Sequence, residues 1–203
     1  MESSSEFPFR LAFGIFWILN TIVRYYFQGK ARGQEKSFSR HERREQVSFN
    51  LFLFSYLFSL VYVFSSMLDF AQLPVREWIR WMFGGGALIF YLLFFSWTHY
   101  ELGRNWSGRL EIYKEHHLVT DGPYRHIRHP MYSAFFLSAI GVGFLSANWL
   151  VSALYLGTLT WMYVRRVASE EEMMIERFDD QYREYMISTG RLMPRWRRAR
   201  GNR

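Results

Sequence analysis

A chain of 203 residues that is 50% hydrophobic and 20% aromatic has the apolar mass for one large core, yet its apolar and charged residues fall in separate blocks. Having no Cys excludes disulfides, thiolate metal sites and a Cys nucleophile. A formal net charge of +7 asks for an anionic partner; because the aromatics sit inside apolar runs and away from the Arg clusters, anionic lipid fits that role better than nucleic acid.

The mean hydropathy of -0.13 averages lipid-compatible runs with basic connectors. A helix needs about 20 mostly apolar residues to cross the hydrocarbon core. Residues 7–27 form the first such window, with Arg10 and Arg24 near its ends where they can snorkel. Glu2 and Glu6 are the wrong flank for a signal peptide, so the window reads as a retained helix. Residues 48–68 carry no charge and make the second span; residues 78–100 make the third. In the third, Gly84-Gly85-Gly86 lacks the phosphate-binding spacing and reads as a site of close helix packing.

Beyond a connector, residues 131–145 reach a small turn at Ser146-Ala147-Asn148, and residues 149–166 run back. The first arm spans only about 22 Å at helical rise, which predicts a shallow hairpin. The expectation is an all-α integral membrane protein of about five transmembrane helices, with residues 1–100 holding the first three and 101–203 a catalytic region. Segments 29–46, 101–129 and 165–203 hold 21 of the 25 Lys and Arg, so the positive-inside rule puts them, and the C-terminus, in the cytoplasm with the N-terminus opposite.

Within the connector, Leu110-Glu111-Ile112 and His117-Leu118-Val119-Thr120 could pair as short extended arms around Lys114-Glu115-His116, with turn chemistry at Asp121-Gly122-Pro123. Pro130 suits a first helical position, which places His129 at the N-cap. From Arg165 onward the pattern becomes amphipathic and charged, with Met173, Met174, Phe178, Tyr182 and Tyr185 near helical spacing. Arg166 and Glu170 stand four apart on one face; by spacing alone they read first as a solvated ion pair at the end of a membrane helix. The basic tail from Arg195 to Arg200 suits an anionic lipid surface.

Chemistry concentrates in Gly122-Pro123-Tyr124-Arg125-His126-Ile127-Arg128-His129-Pro130-Met131-Tyr132 and, 38 residues on, Glu170-Glu171. Ionisable groups at a bilayer edge are costly to hold and read as a functional site. His116, His117, His126 and His129 fit none of the established zinc spacings, so no metal is expected. No P-loop, GxSxG or Ser/His/Asp grouping is present.

These residues carry a resemblance. Leu102-Gly103-Arg104-Asn105-Trp106-Ser107, His117 to Tyr124, Arg128-His129-Pro130-Met131-Tyr132, Glu170-Glu171, and then Phe178, Tyr182, Tyr185 and Arg191-Leu192-Met193-Pro194 are similar to the isoprenylcysteine carboxyl methyltransferase family, in a short five-helix layout like its prokaryotic members. The resemblance covers about residues 100–195. It implies S-adenosyl-L-methionine as methyl donor, bound without a Rossmann fold at the cytoplasmic edge by His116, His117, Leu118, Val119, Tyr124, His129, Pro130, Met131, Tyr132, Glu170 and Glu171. Arg166 matches the substrate-side Arg, which makes Arg166 and Glu170 the expected catalytic pair. The implied acceptor is the carboxylate of an isoprenylated cysteine or a similar lipid-tailed acid. One departure is visible: Asp179 stands where members commonly have Gly, which puts local backbone shape in question. Phospholipid or amine N-methylation, a membrane reductase, and a non-enzymatic lipid-binding protein are the competing readings.

Overall fold

The computed structural model describes residues 3–31, 36–39, 43–103, 111–113 and 117–195. His116, Lys114 and Glu115, and the basic tail beyond Arg195, lie outside the described residues.

Helices make up nearly all of what is described. Helix α1 (Ser3–Ala31) and α2 (Arg43–Phe64) precede α3 (Glu77–Ile79), which continues through a π-helical turn, Arg80–Gly85, into α4 (Gly86–Leu102). Helix α5 (Pro130–Ser146) and α6 (Trp149–Ser188) complete the bundle. Helix α2 packs on α6, the π-turn and α4 pack on α5, α5 packs on α6, and α1 touches α2, α4 and α5. Phe13, Tyr62, Tyr91, Val142, Tyr155 and Leu159 are buried at its centre. Outward, Ile18, Phe54, Phe90, Leu93 and Leu156 are exposed. Such an apolar exterior is a liability in water and is the ordinary face of a bundle in lipid.

Two helical stretches, Glu6–Gly29 and Glu77–Leu102, are long and apolar enough to cross a membrane, while Asn50–Phe64 and Pro130–Ser146 are shorter apolar helices. The expected second span through Leu68 ends early, because the helix stops at Phe64. The Ser65 hydroxyl accepts from the Met67 N–H at 3.0 Å, which favours a turn over further helix. Chain direction then reverses through a short helical turn at Asp69–Ala71.

In lipid, helices gain little by hiding apolar surface from each other, so close packing matters more. Gly84 shows it: a Cβ there would lie 2.5 Å from the Leu145 backbone nitrogen. The Gly triplet therefore does serve helix packing, through this one member. At the same end Arg80, only 3% exposed, donates to both Glu6 carboxylate oxygens at 2.6 and 2.8 Å and to the Leu145 carbonyl at 3.1 and 3.0 Å. It thereby satisfies a carbonyl that the end of α5 leaves without a helical partner.

The turn after α5 follows the sequence reading. Ala147 takes a left-handed conformation (φ 46°), and the Asn148 side chain accepts from the Val151 N–H at 3.1 Å as an N-cap. The connector differs from expectation. Strand β2 (Glu111–Tyr113) forms, but its antiparallel partner is β1 (Lys36–Ser39) and not residues 117–120, which form no strand. The pair ties the segment between α1 and α2 to the segment between α4 and α5.

Helix α6 continues as one element from the hairpin into the charged segment, with a corner at Asp179 (φ 41°, ψ -119°). Because of that corner Arg191, 20 positions after Glu171, returns to bond it. A straight helix would put them about 30 Å apart.

Candidate active site where α5 begins

Pro130 opens α5, and the backbone of the preceding residues is held by the returning C-terminal arm. Arg128 and His129 N–H groups donate to the Gly190 and Arg191 carbonyls at 2.8 and 3.1 Å, and the Gly190 N–H donates to the His126 carbonyl at 3.2 Å. The Tyr185 hydroxyl donates to the Tyr124 carbonyl at 2.5 Å, and Ser133 Oγ to the Leu192 carbonyl at 2.6 Å. These bonds join segments 124–133 and 185–192 into one wall.

Onto this wall α6 projects two adjacent carboxylates. Glu170 Oε1 accepts from Arg166 Nε at 2.7 Å and from the Tyr132 hydroxyl at 2.9 Å, and Oε2 lies 3.5 Å from His129 Nδ1. The Arg166–Glu170 pair is thus not a solvated one: the two side chains are 11% and 23% exposed and sit against two other groups. Glu171 Oε1 accepts from Arg128 Nε at 3.1 Å and from Arg191 Nε at 3.2 Å, and faces His129 Nε2 at 3.2 Å; Oε2 accepts from Arg191 Nη2 at 2.5 Å. Arg128 also donates to the Met186 and Thr189 carbonyls.

Burial favours the neutral form of both acids, and here it loses. For Glu170 the Arg166 charge, His129 and Tyr132 outweigh it and bring the carboxyl down to about 2. For Glu171 the bonds from His129, Arg191 and Arg128 do the same, again to about 2. His129 responds in the opposite sense: burial depresses it, but its two carboxylate neighbours raise it above the usual imidazole value. Among the described residues, three guanidiniums and an imidazole therefore stand around these two carboxylates.

Of the residues expected at the site, His129, Tyr132, Arg166, Glu170 and Glu171 meet in this network. Tyr124 and Pro130 are buried beside it, and Met131 is half-buried against the core. His117 is exposed, with Leu118 and Val119 half-buried, on the irregular stretch leading to Asp121. His116 lies outside the described residues. Sequence reasoning gave no role to the Arg128–Glu171–Arg191 bonds. Their only signal was the recurrence of Arg beside both the His129-Pro130 and Met193-Pro194 segments.

Residues 85–176 match the Isoprenylcysteine carboxyl methyltransferase (ICMT) family. The protein-S-isoprenylcysteine O-methyltransferase of Schizosaccharomyces pombe is 38% identical over 72 residues, covering 36% of this chain and 30% of that protein. Its Arabidopsis thaliana counterpart, form A, is 36% identical over 95 residues, covering 45% and 48%. The chain spans about half the length, or less, of the curated relatives it matches there. Among solved structures, that of the eukaryotic intramembrane Ras methyltransferase, an isoprenylcysteine carboxyl methyltransferase, shares the fold: TM-score 0.52 and 23% identity, over 74% of this chain and 50% of that one. The resemblance read from the motifs is borne out over the region that holds His129, Tyr132, Arg166 and Glu170.

Proposed function

From a chain whose residues 85–176 are those of the isoprenylcysteine carboxyl methyltransferase family, we propose an integral-membrane enzyme that transfers a methyl group from S-adenosylmethionine to the carboxylate of an isoprenylated cysteine or similar lipid-tailed acid. The observation that carries this reading is the convergence of Arg166, Tyr132 and His129 on Glu170 at one end of the bundle.

The residues suit the donor. Glu170, ionised and partly exposed, can meet a cationic group, and Tyr132 offers an aromatic face and a hydroxyl beside it. When bound, the donor supplies an electrophilic methyl on a sulfonium. An acceptor carboxylate is already ionised at neutral pH, with a reference pKa near 3.5. No general base is then required, and the protein's work is alignment and exclusion of water. Glu170 fixes the plane of the Arg166 guanidinium through Nε, which gives an incoming carboxylate an oriented cation to meet.

The proposed setting is five crossings with this edge on the cytoplasmic side, residues 1–100 as scaffold and 101–203 as the catalytic region. His117, Leu118, Val119 and Tyr124 would border the donor, and the basic tail would rest on anionic lipid. A prenyl tail would enter sideways between helices from the bilayer.

Purified protein given labelled donor and a farnesylcysteine analogue is expected to form a base-labile methyl ester. A product stable to mild alkali would instead mark N-methylation. Undetectable donor binding by calorimetry in detergent would overturn the proposal at its first step.

A further inference from the structure

Glu171 differs from its neighbour in what remains of it. Its side chain is 6% exposed, and both its oxygens are engaged: Oε1 meets Arg128, Arg191 and His129, and Oε2 meets Arg191. A carboxylate offers about four lone-pair directions. Those of Glu171 are used inside the protein, whereas Glu170 is 23% exposed.

We propose that Glu171 is not a donor contact but a positioning residue, which holds His129 by Nε2 so that Nδ1 stays aimed at Glu170. This rests on the reading of Glu170 as the donor-side carboxylate. An imidazole lying between two carboxylates can donate to both only when both its nitrogens carry protons. The ring then bridges the two acids as an imidazolium, with Nε2 3.2 Å from Glu171 Oε1 and Nδ1 3.5 Å from Glu170 Oε2. Its charged and titratable surroundings are Glu170, Glu171, Arg166 and Tyr163 on α6, Arg128 and Tyr132 on its own segment, and Arg191 on the returning arm. The two acids are the groups that face the ring nitrogens.

The arrangement also gives the Asp179 corner a purpose. The corner returns residues 180–192 to the start of α5, and Arg191 then bonds both oxygens of Glu171. Orientation passes from Arg191 to Glu171, to His129 and to Glu170. Glu171 touches no reacting atom in this scheme.

The test uses the full-length protein in detergent, labelled in histidine with 15N and 13C, the His129 signals being assigned by their absence from H129Q. In the wild type both His129 nitrogens are expected to be protonated at pH 7; a neutral ring with bare Nε2 would overturn the proposal, and this outcome needs no variant. In Glu171→Gln the His129 midpoint should fall by about one pH unit. The Kd for S-adenosylhomocysteine, the demethylated product, should rise about tenfold at pH 7, with Glu171→Asp recovering most of both changes. A purely structural Glu171 would lower the melting temperature and leave the midpoint in place. Binding by the wild type with an unmoved midpoint and affinity in Glu171→Gln overturns this role alone. Absence of binding by the wild type overturns the donor reading and this role together.

Discussion

Helix α5 has a network of ion pairs at each end, and the two are built differently. At its C-terminal end Arg80 and Arg10 meet Glu6 and Asp69, two charges against two, and Arg80 spends its remaining donors on the carbonyls of Leu145 and Ser146 while lying 3.5 Å from the Phe9 ring centroid. At its N-terminal end, among the described residues, Arg128, Arg166, Arg191 and His129 stand against Glu170 and Glu171. The first network closes on itself and holds a helix end. The second joins α6 and the returning C-terminal arm to the start of α5, and it is the end proposed above to open onto donor and acceptor. Burial of an ion pair therefore does not by itself separate a structural network from a proposed functional one.

The largest expected effect breaks the closed end. Arg80→Met strands the Glu6 carboxylate and the Leu145 carbonyl in a buried place, and should cost about 3–5 kcal/mol in denaturant unfolding from detergent. A loss below 1 kcal/mol would mean that this network is not what closes the bundle. At the open end, Arg166→Ala should slow methyl transfer about 100-fold by misplacing the acceptor, with donor binding kept. Equal losses in donor Kd and in rate would instead make Arg166 part of the donor site.

Asp179 tests how the open end is assembled. A non-glycine residue at φ 41°, ψ -119° is strained, and its exposed side chain makes only a 3.5 Å pairing with Arg183 among the described residues. Asp179→Gly relieves that strain at some cost in unfolded-state entropy, so a gain of about 1 kcal/mol is expected. A melting temperature lower than wild type would show that the Asp side chain holds the corner.

The smallest effect is the pH dependence of the open end. Glu170 and Glu171 are depressed to about 2, so their contribution is full above their ordinary 4.5 and fades as pH falls toward 2. His129 is raised, so its contribution is full below 6.5 and is lost as pH climbs through its raised value. Thermal stability should peak between 4.5 and 6.5 and fall by about 2–4 °C on the alkaline side. In His129→Gln that alkaline fall should vanish; its persistence would assign it to another group.

Much of the site was legible because its groups are local in sequence or tied by helical spacing. His129 before Pro130, Tyr132 one turn into α5, and the four-residue step from Arg166 to Glu170 all follow from helical geometry. Asp179, where the resemblance led to an expected Gly, was marked in the sequence too, and it fell on the one strained backbone position inside a described helix. Other features were not legible. The Ser65-Ser66 stop of α2 hid inside an apolar run, and β2 was matched to a nearby arm although its partner lies more than 70 residues earlier. Pairing between distant segments leaves no periodicity to read.

Sequence by itself determined the apolar helices, the hairpin turn at Ser146-Ala147-Asn148, and the candidate residues that meet around Glu170 and Glu171. These depend on spacing, propensity and charge along a few helical turns. Only the tertiary structure decided which of two adjacent glutamates faces outward and which is held inside, because that choice depends on Arg191 arriving across the Asp179 corner. It likewise decided that Arg80 closes one end of α5 while Arg166 is set at the other. Burial and charge balance belong to groups far apart in the chain, so they exist only once the bundle has formed.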